Sequence, residues 1–336
     1  MAVSNHSQTA LSSGSQEQGA LVSVIIPTYN RPDYLKESLG SAVGQTYQNL
    51  EIIVADDCGP TGAENQKVIE AFQDPRIIYR RNATNLGVTQ NFASAVQQAR
   101  GKYIASLNDD DLWNKDFLEK LVPPLEANSD LAVAFCDHYI IDEKGTINYQ
   151  ETENVSRNCN RANRKEGVYQ PFCKVAIVER SVSPASTAVI RKDVDDLANI
   201  PSEVKNYYDL YLNYLCCRSG RGAYYYPEKL TRYRVHSQGY TQSYSKKNVE
   251  NNIRDAEAHI FCFERFIEDE RLVELKPYFK NRLAFEKASI GINLLRSKKV
   301  VEARPYLLTA LSQHLSLRTL VALTLSFSPP SLASRF

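Results

Sequence analysis

A chain of 336 residues, 43% of them hydrophobic, has room for one large or two ordinary domains with a real core, which excludes a disordered chain. Forty Lys and Arg against 39 Asp and Glu leave a formal charge of +1, so no global field draws the chain to nucleic acid, and no zinc-finger spacing or basic repeat supplies one locally. Seven scattered cysteines without a C-x-x-C pair argue against a disulfide framework and a zinc site, and fit reduced thiols in a cytoplasm.

Residues 1–20 are rich in Ser, Gln and Gly with Glu17 their only charged side chain, and read as a disordered tail without an export signal. From Leu21 to about Cys136 short β-branched runs alternate with segments of helical apolar spacing, the pattern of a parallel sheet with crossover helices. Val22 to Ile26 is the first predicted strand. Pro32 opens a helix that puts Tyr34, Leu35, Ser38, Leu39, Ala42 and Val43 on one face, and Leu50 to Ala55 is the second strand. Residues 61 to 73 read as helix, Arg76 to Tyr79 as a short strand and Val88 to Arg100 as helix, with Gly101 as its stop before a fourth strand, Tyr103 to Leu107.

Asp109, Asp110 and Asp111 follow at once. A helix starting near Asn114 carries Phe117, Leu118, Leu121, Val122 and Leu125, and Leu131 to Cys136 is another strand. From about Asp142 to Pro201 the pattern predicts loops and short elements that wall the sheet edge. Asn206 to Arg218 is helical in pattern, Ala223 to His236 extended, and beyond about Asn248 the chain is helical in three or four pieces. Ala284 to Leu295 and Val300 to Leu311 can form an antiparallel pair. The end, residues 296 to 336, carries six basic residues against the single acid Glu302. It either rests on an anionic membrane surface or packs its apolar face on the rest of the protein.

The expected fold class is therefore α/β, a Rossmann-like, mostly parallel sheet flanked by helices, with a C-terminal helical region. In such a sheet ligands bind beyond the carboxyl ends of the strands. Three of those ends carry chemistry: Pro27-Thr28-Tyr29-Asn30, Asp56-Asp57 and Asn108-Asp109-Asp110-Asp111. Clustered carboxylates there suit a divalent cation and, through it, a phosphate; the alternative is an acidic turn leading into a helix. Neither G-x-G-x-x-G nor a P-loop is present, so phosphates would be met by a metal.

Val-Ile-Ile-Pro-Thr-Tyr-Asn-Arg (24 to 31), Ile-Ile-Val-Ala-Asp-Asp (52 to 57), Asn85-Leu86-Gly87 and the run from Ala105 to Asp111 occur in this order. Over roughly residues 21 to 240 the chain resembles the family 2 glycosyltransferases, inverting sugar transferases of the A-type nucleotide-diphospho-sugar fold. The resemblance implies a nucleotide-sugar-binding and catalytic domain over 21–247 and a helical region over 248–336. Pro27 and Tyr29, with Asp56 or Asp57, would hold the base, most often uracil, beside the Asn85 element. Asp109 and Asp111 would bind the diphosphate through Mn²⁺ or Mg²⁺, joined by His236 as a ligand and by Arg234 as a phosphate partner, from a segment resembling the family's Y-R-x-H.

Inversion needs a base for the acceptor hydroxyl, and the resemblance points to Asp209. Many relatives have a Glu-Asp pair where this chain has Asn206-Tyr207-Tyr208-Asp209, so Asp195, Asp196 and Glu203 stay open as alternatives. The implied partners are a nucleotide-diphospho-sugar donor and a glycan or lipid-linked acceptor, with no nucleic acid. The implied place is the cytoplasm, with peripheral contact at the inner face of the plasma membrane through the basic C-terminal tail. Two other functions stay open. A nucleotidyltransferase would need a basic residue in the first loop, where only Arg31 serves, and a non-catalytic nucleotide-sugar or glycan module would lack the base. Trp113 has two readings, a sugar-stacking ring or core.

Overall fold

Alternating β-branched runs and amphipathic segments fold as a nine-stranded mixed sheet flanked by helices; the structure, a computed structural model, describes residues 19–237, 239 and 248–333. The expected N-terminal tail lies, except for its last two residues, outside the described residues. Strands β1 (Val22–Thr28), β2 (Leu50–Asp56), β3 (Ile77–Arg81) and β4 (Tyr103–Ser106) pair in parallel in the order β3-β2-β1-β4. Their crossovers are α1 (Pro32–Val43), α2 (Gly62–Glu70) and α3 (Val88–Val96). Parallel strands joined this way send all their carboxyl ends to one edge, which is what brings distant segments together.

Both faces of these strands are covered, so successive side chains enter different cores. Val24 and Ile26 of β1 pack in one apolar cluster with Leu35 and Leu39 of α1, while Ile25 packs in the other with Phe92 of α3. Gly101 is not a helix stop, since α3 already ends at Val96. A Cβ there would lie 2.5 Å from the backbone nitrogen of Ser23, and the Gly101 N–H donates to the Ser23 hydroxyl at 2.8 Å. Glycine is needed because two backbones touch.

Beyond β4 the sheet turns mixed. The short β5 (Leu112–Trp113) leads into α4 (Phe117–Ala127), and β6 (Leu131–Ile141) runs five residues past the expected end. Inside the segment read as loops lie α5 (Tyr149–Asn158), β7 (Gly167–Tyr169) and β8 (Ala188–Arg191). β8 inserts antiparallel between β4 and β6. After α6 (Tyr208–Arg218), β9 (Gly222–Arg234) pairs in parallel with β6 and carries β5 and β7 antiparallel.

The C-terminal region is α7 (Val249–Glu268), α8 (Lys276–Arg296), α9 (Val300–Gln313), α10 (Leu317–Leu325) and the single turn α11 (Pro330–Ala333). Phe263 and Phe266 of α7 share an apolar cluster with Tyr211 and Tyr214 of α6, whereas Ile292 of α8, Leu307 of α9 and Ala322 of α10 form a separate small core. All seven cysteines are free thiols.

Candidate active site

The ends of β1, β2 and β4 lie side by side, in a register that aligns Thr28 with Asp56 and Ile25 with Ser106. Three consecutive carboxylates repel one another, and the turn after β4 separates them. Asp109 turns toward the first loop, accepting from the Thr28 hydroxyl at 2.8 Å and the Tyr29 N–H at 3.3 Å, with an Arg31 Nη2 2.7 Å from its Oδ1. Asp111 turns the other way, accepting from Asn108 Nδ2 at 3.0 Å, the Ser186 hydroxyl at 2.8 Å and the Arg234 N–H at 3.1 Å. Both carboxylates are buried, and burial pushes both carboxyls above the ordinary range.

Asp110 is the one that stays at the surface, its side chain 15% exposed against 1% for Asp109. Its Oδ2 meets Arg31 Nη1 on one side and His236 Nε2, at 3.1 Å, on the other. Burial would raise this carboxyl, but the hydrogen bond with His236 and the charge of Arg31 hold it below the usual value. The expected ligands Asp109, Asp111 and His236 do not meet at one point. His236 faces the middle aspartate, the outer two are turned apart, and no three His, Cys, Asp or Glu side chains converge on an ion position among the described residues.

A two-donor position remains. His236 is buried with its ring edge-on to Tyr34 at 4.7 Å, and its Nδ1 has no hydrogen-bond partner among the described residues. A carboxylate oxygen and an imidazole nitrogen at one point suit Mn²⁺, and Mg²⁺ less well. Such ions are commonly held by one or two protein groups, with substrate phosphate completing the sphere.

Arg234, expected to meet phosphate, is engaged elsewhere. Its guanidinium is consumed by the protein: Nη2 pairs with Glu37 at 2.6 Å, Nε donates to the Asp110 carbonyl at 2.9 Å, Nη1 donates to the Glu143 carbonyl at 3.0 Å, and the group lies 4.7 Å over the Tyr34 ring. At 2% exposure it is a brace that fixes the acidic turn against α1 and β9. The guanidinium that does face the cluster belongs to Arg31. In the sequence Arg31 bears only on the nucleotidyltransferase alternative, although its place two residues after Tyr29 sets it at the same strand end.

Asp56 and Asp57 are both buried and both hold protein. Asp56 accepts from Asn65 Nδ2 and the Tyr79 hydroxyl, each at 2.9 Å; burial and this carboxylate push the Tyr79 hydroxyl up to about 12, so it acts as a donor. Asp57 accepts from Asn82 Nδ2 at 3.0 Å and from the Leu86 and Gly87 N–H groups at 2.8 Å each, shaping the loop before α3. Three donors on a group with about four lone-pair positions leave acceptor capacity at Asp57. Asn85 caps the Gly87 N–H at 3.0 Å, and Gly87 has φ 79°, a left-handed backbone natural to glycine. Pro27 is locked in β1, while Tyr29 is 44% exposed at the rim. Trp113 is core, stacked on Phe117 at 4.3 Å with its Nε1 donating to the Ser186 carbonyl at 2.7 Å.

At the start of α6 the Tyr208 hydroxyl donates to Asn108 Oδ1 at 2.9 Å, tying this helix to the acidic turn. Asp209 is half-buried; it accepts from the Ser183 hydroxyl at 2.8 Å and lines a water-sized cavity of about 10 Å³ with Ser106, Ala185 and Ile190. Of the alternatives, Asp195 pairs with Arg218 at the far end of α6, and Asp196 and Glu203 are exposed away from the turn's contacts.

Comparison with known proteins bears on the same segments. The model described as glycosyl transferase family 2 matches residues 23–182. A putative teichuronic acid biosynthesis glycosyltransferase of Bacillus subtilis is 33% identical over 130 residues, 38% of this chain and 50% of that protein. The chain spans about half the length, or less, of the curated relatives it matches. Among solved structures, S. aureus TarS 1-349 in complex with UDP-GlcNAc aligns with TM-score 0.63 and 17% identity, covering 93% of this chain and 88% of that one. The mannosyltransferase PcManGT from Pyrobaculum calidifontis in complex with GDP-Man and Mn²⁺ aligns with TM-score 0.58 and 18% identity, covering 94% and 86%. At those identities the likeness establishes the fold, the A-type glycosyltransferase architecture.

Proposed function

We propose that this chain, whose residues 23–182 match the family model described as glycosyl transferase family 2, moves a sugar from a nucleotide-diphospho-sugar to an acceptor hydroxyl with inversion at the anomeric carbon. The observation that carries the reading is the meeting of Asp110 and His236 at the edge where β1, β2 and β4 end. The donor is uridine-linked and the acceptor a glycan or lipid-linked glycan of the cell surface, built on the cytoplasmic side. The teichuronic acid relative and the UDP-GlcNAc complex support that setting.

In this reading the exposed Tyr29 ring, the Pro27 backbone and the free acceptor capacity of Asp57 hold the base, with the Asn85 loop as one wall. Asp110 and His236 hold Mn²⁺ or Mg²⁺; such an ion offsets the charge growing on the departing diphosphate. The Mn²⁺ in the mannosyltransferase complex supports this choice. Asp109 and Asp111 keep the turn in shape, and Arg31 is the cation nearest the leaving group. Asp209 takes the proton of the attacking hydroxyl, held in reach by the tie from Tyr208 to Asn108.

One observation favours a second reading, a nucleotide-sugar-binding module without turnover: the Asp209 carboxylate is bonded to Ser183 and faces a cavity that holds no more than a water. Incubation with Mn²⁺ and a panel of nucleotide-sugars separates the two. The transferase releases nucleoside diphosphate faster when acceptor is present; binding without release supports the module, and pyrophosphate release marks a nucleotidyltransferase. Asp209→Asn is expected to keep donor affinity and lower kcat by at least about 100-fold. Undiminished turnover would move the base elsewhere.

A further inference from the structure

Exposed apolar side chains are concentrated at one corner of the molecule. Of the fifteen large ones exposed among the described residues, nine lie between Phe285 and Phe327, on α8, α9, α10 and their connections. Helix α10 shows the arrangement most clearly. Thr319 and Ala322 are its buried side, against α8 and α9. Its outward stripe, at the i, i+3, i+4 spacing of one helical face, is Leu317, Leu320 and Val321, exposed by 78%, 51% and 39%. Leu315, in the connection just before it, is 86% exposed. A water-facing helix normally places polar residues there. The sequence left open whether this apolar face packs on the rest of the protein; in the structure Ala322 and Leu323 do, while Leu317, Leu320 and Val321 face outward.

The charges around the face share one sign. Residues 296 to 318 hold Arg296, Lys298, Lys299, Arg304 and Arg318 against Glu302 alone, and Glu302 lies 3.8 Å from Lys299. Two of the arginines lie on aromatic rings of the same corner, Arg304 over Phe327 at 4.4 Å and Arg318 over Phe285 at 5.7 Å. Cations with apolar stems beside exposed leucines match the boundary of an anionic bilayer, where the leucines enter the acyl region and the guanidiniums stay at headgroup level. A second copy fits poorly, because a two-fold contact would set this basic rim against itself. No helix among the described residues is long and apolar enough to cross a membrane.

We propose that the α8–α10 corner is a docking surface that lays the protein on an anionic lipid bilayer. It shares no residue with the donor site, so it stands or falls separately from the proposed transferase activity. The test is co-sedimentation of the full chain with vesicles of phosphatidylcholine alone or with about one third phosphatidylglycerol. Binding is expected to be at least about tenfold tighter to the anionic vesicles and to weaken with salt. Leu317→Gln/Leu320→Gln and Arg318→Gln should each remove most of it. Circular dichroism melting should leave both variants near the parent, since the changed side chains are exposed. Equal partition of parent and variants overturns the proposal. So does a concentration-dependent dimer that the same variants dissociate, which would make a second copy the occupant.

Discussion

Asp110 and its two neighbours are the residues on which the proposed chemistry rests at the scale of single residues. Adjacent positions along a turn send their side chains in different directions, so which of three aspartates reaches the cleft is a property of the turn. The triplet announced a carboxylate site, but only geometry separates Asp109 and Asp111, which are spent on Thr28, Ser186 and backbone N–H groups, from Asp110. His236 was legible from its motif. For Arg234 the motif implied a phosphate partner, whereas its donors lie on Glu37 and two carbonyls, contacts that no sequence pattern carries.

Arg31 gives this scale its sharpest prediction. Its guanidinium already neutralises Asp109 and Asp110, so a divalent ion must compete with it for Asp110. Arg31→Gln should raise Mn²⁺ affinity in the absence of nucleotide by about tenfold, read from the free-ion signal in electron paramagnetic resonance, and should weaken binding of uridine diphosphate. A variant with both affinities unchanged would separate Arg31 from the ion position. His236→Ala should lower Mn²⁺ affinity by about 10–100-fold; loss of the buried ring should also lower the melting temperature, so native far-UV circular dichroism at the titration temperature is the control for folding.

At the scale of elements, the parallel half was readable because each strand is a short buried run followed by an amphipathic helix, as in β1 with α1 and β2 with α2. Beyond β4 the pattern still marks α4, β6, α6 and β9, but not β8. β8 is four residues long and antiparallel to both neighbours, and it is defined by its partners rather than by any pattern of its own. The segment around it is held by a buried pair instead. Arg161 Nε lies 3.1 Å from Asp137 Oδ1 with both side chains shielded from water, and Ser156 donates to the other oxygen at 2.5 Å. Removing Arg161 leaves the buried Asp137 only Lys229 Nζ, at 3.4 Å, as a cation, so Arg161→Ala should cost up to about 3–5 kcal/mol in chemical denaturation. A loss below about 1 kcal/mol would mean that the pair is relaxed by water.

For the molecule as a whole, a near-neutral charge hides a strongly uneven one. The acidic turn at the sheet edge and the basic, apolar corner at α8–α10 cancel in the total, which is why composition pointed to neither. The fold class followed from alternation along the first 136 residues, whereas the docking of α7 onto α6 through Phe263, Phe266 and Tyr214 depends on contacts that no local period encodes. What the whole fold achieves is convergence of distant segments: residues 28–31, 56–57, 109–111 and 236 at one edge, where Asp110 meets His236. Calorimetric titration of uridine diphosphate tests this most directly, with Mn²⁺ or with chelator, on the parent and on Asp110→Asn. Affinity should depend on Mn²⁺ and fall by at least about 100-fold in the variant, approaching the metal-free value. Equal affinity with chelator and with Mn²⁺, or an Asp110→Asn protein that binds as the parent does, would contradict the account.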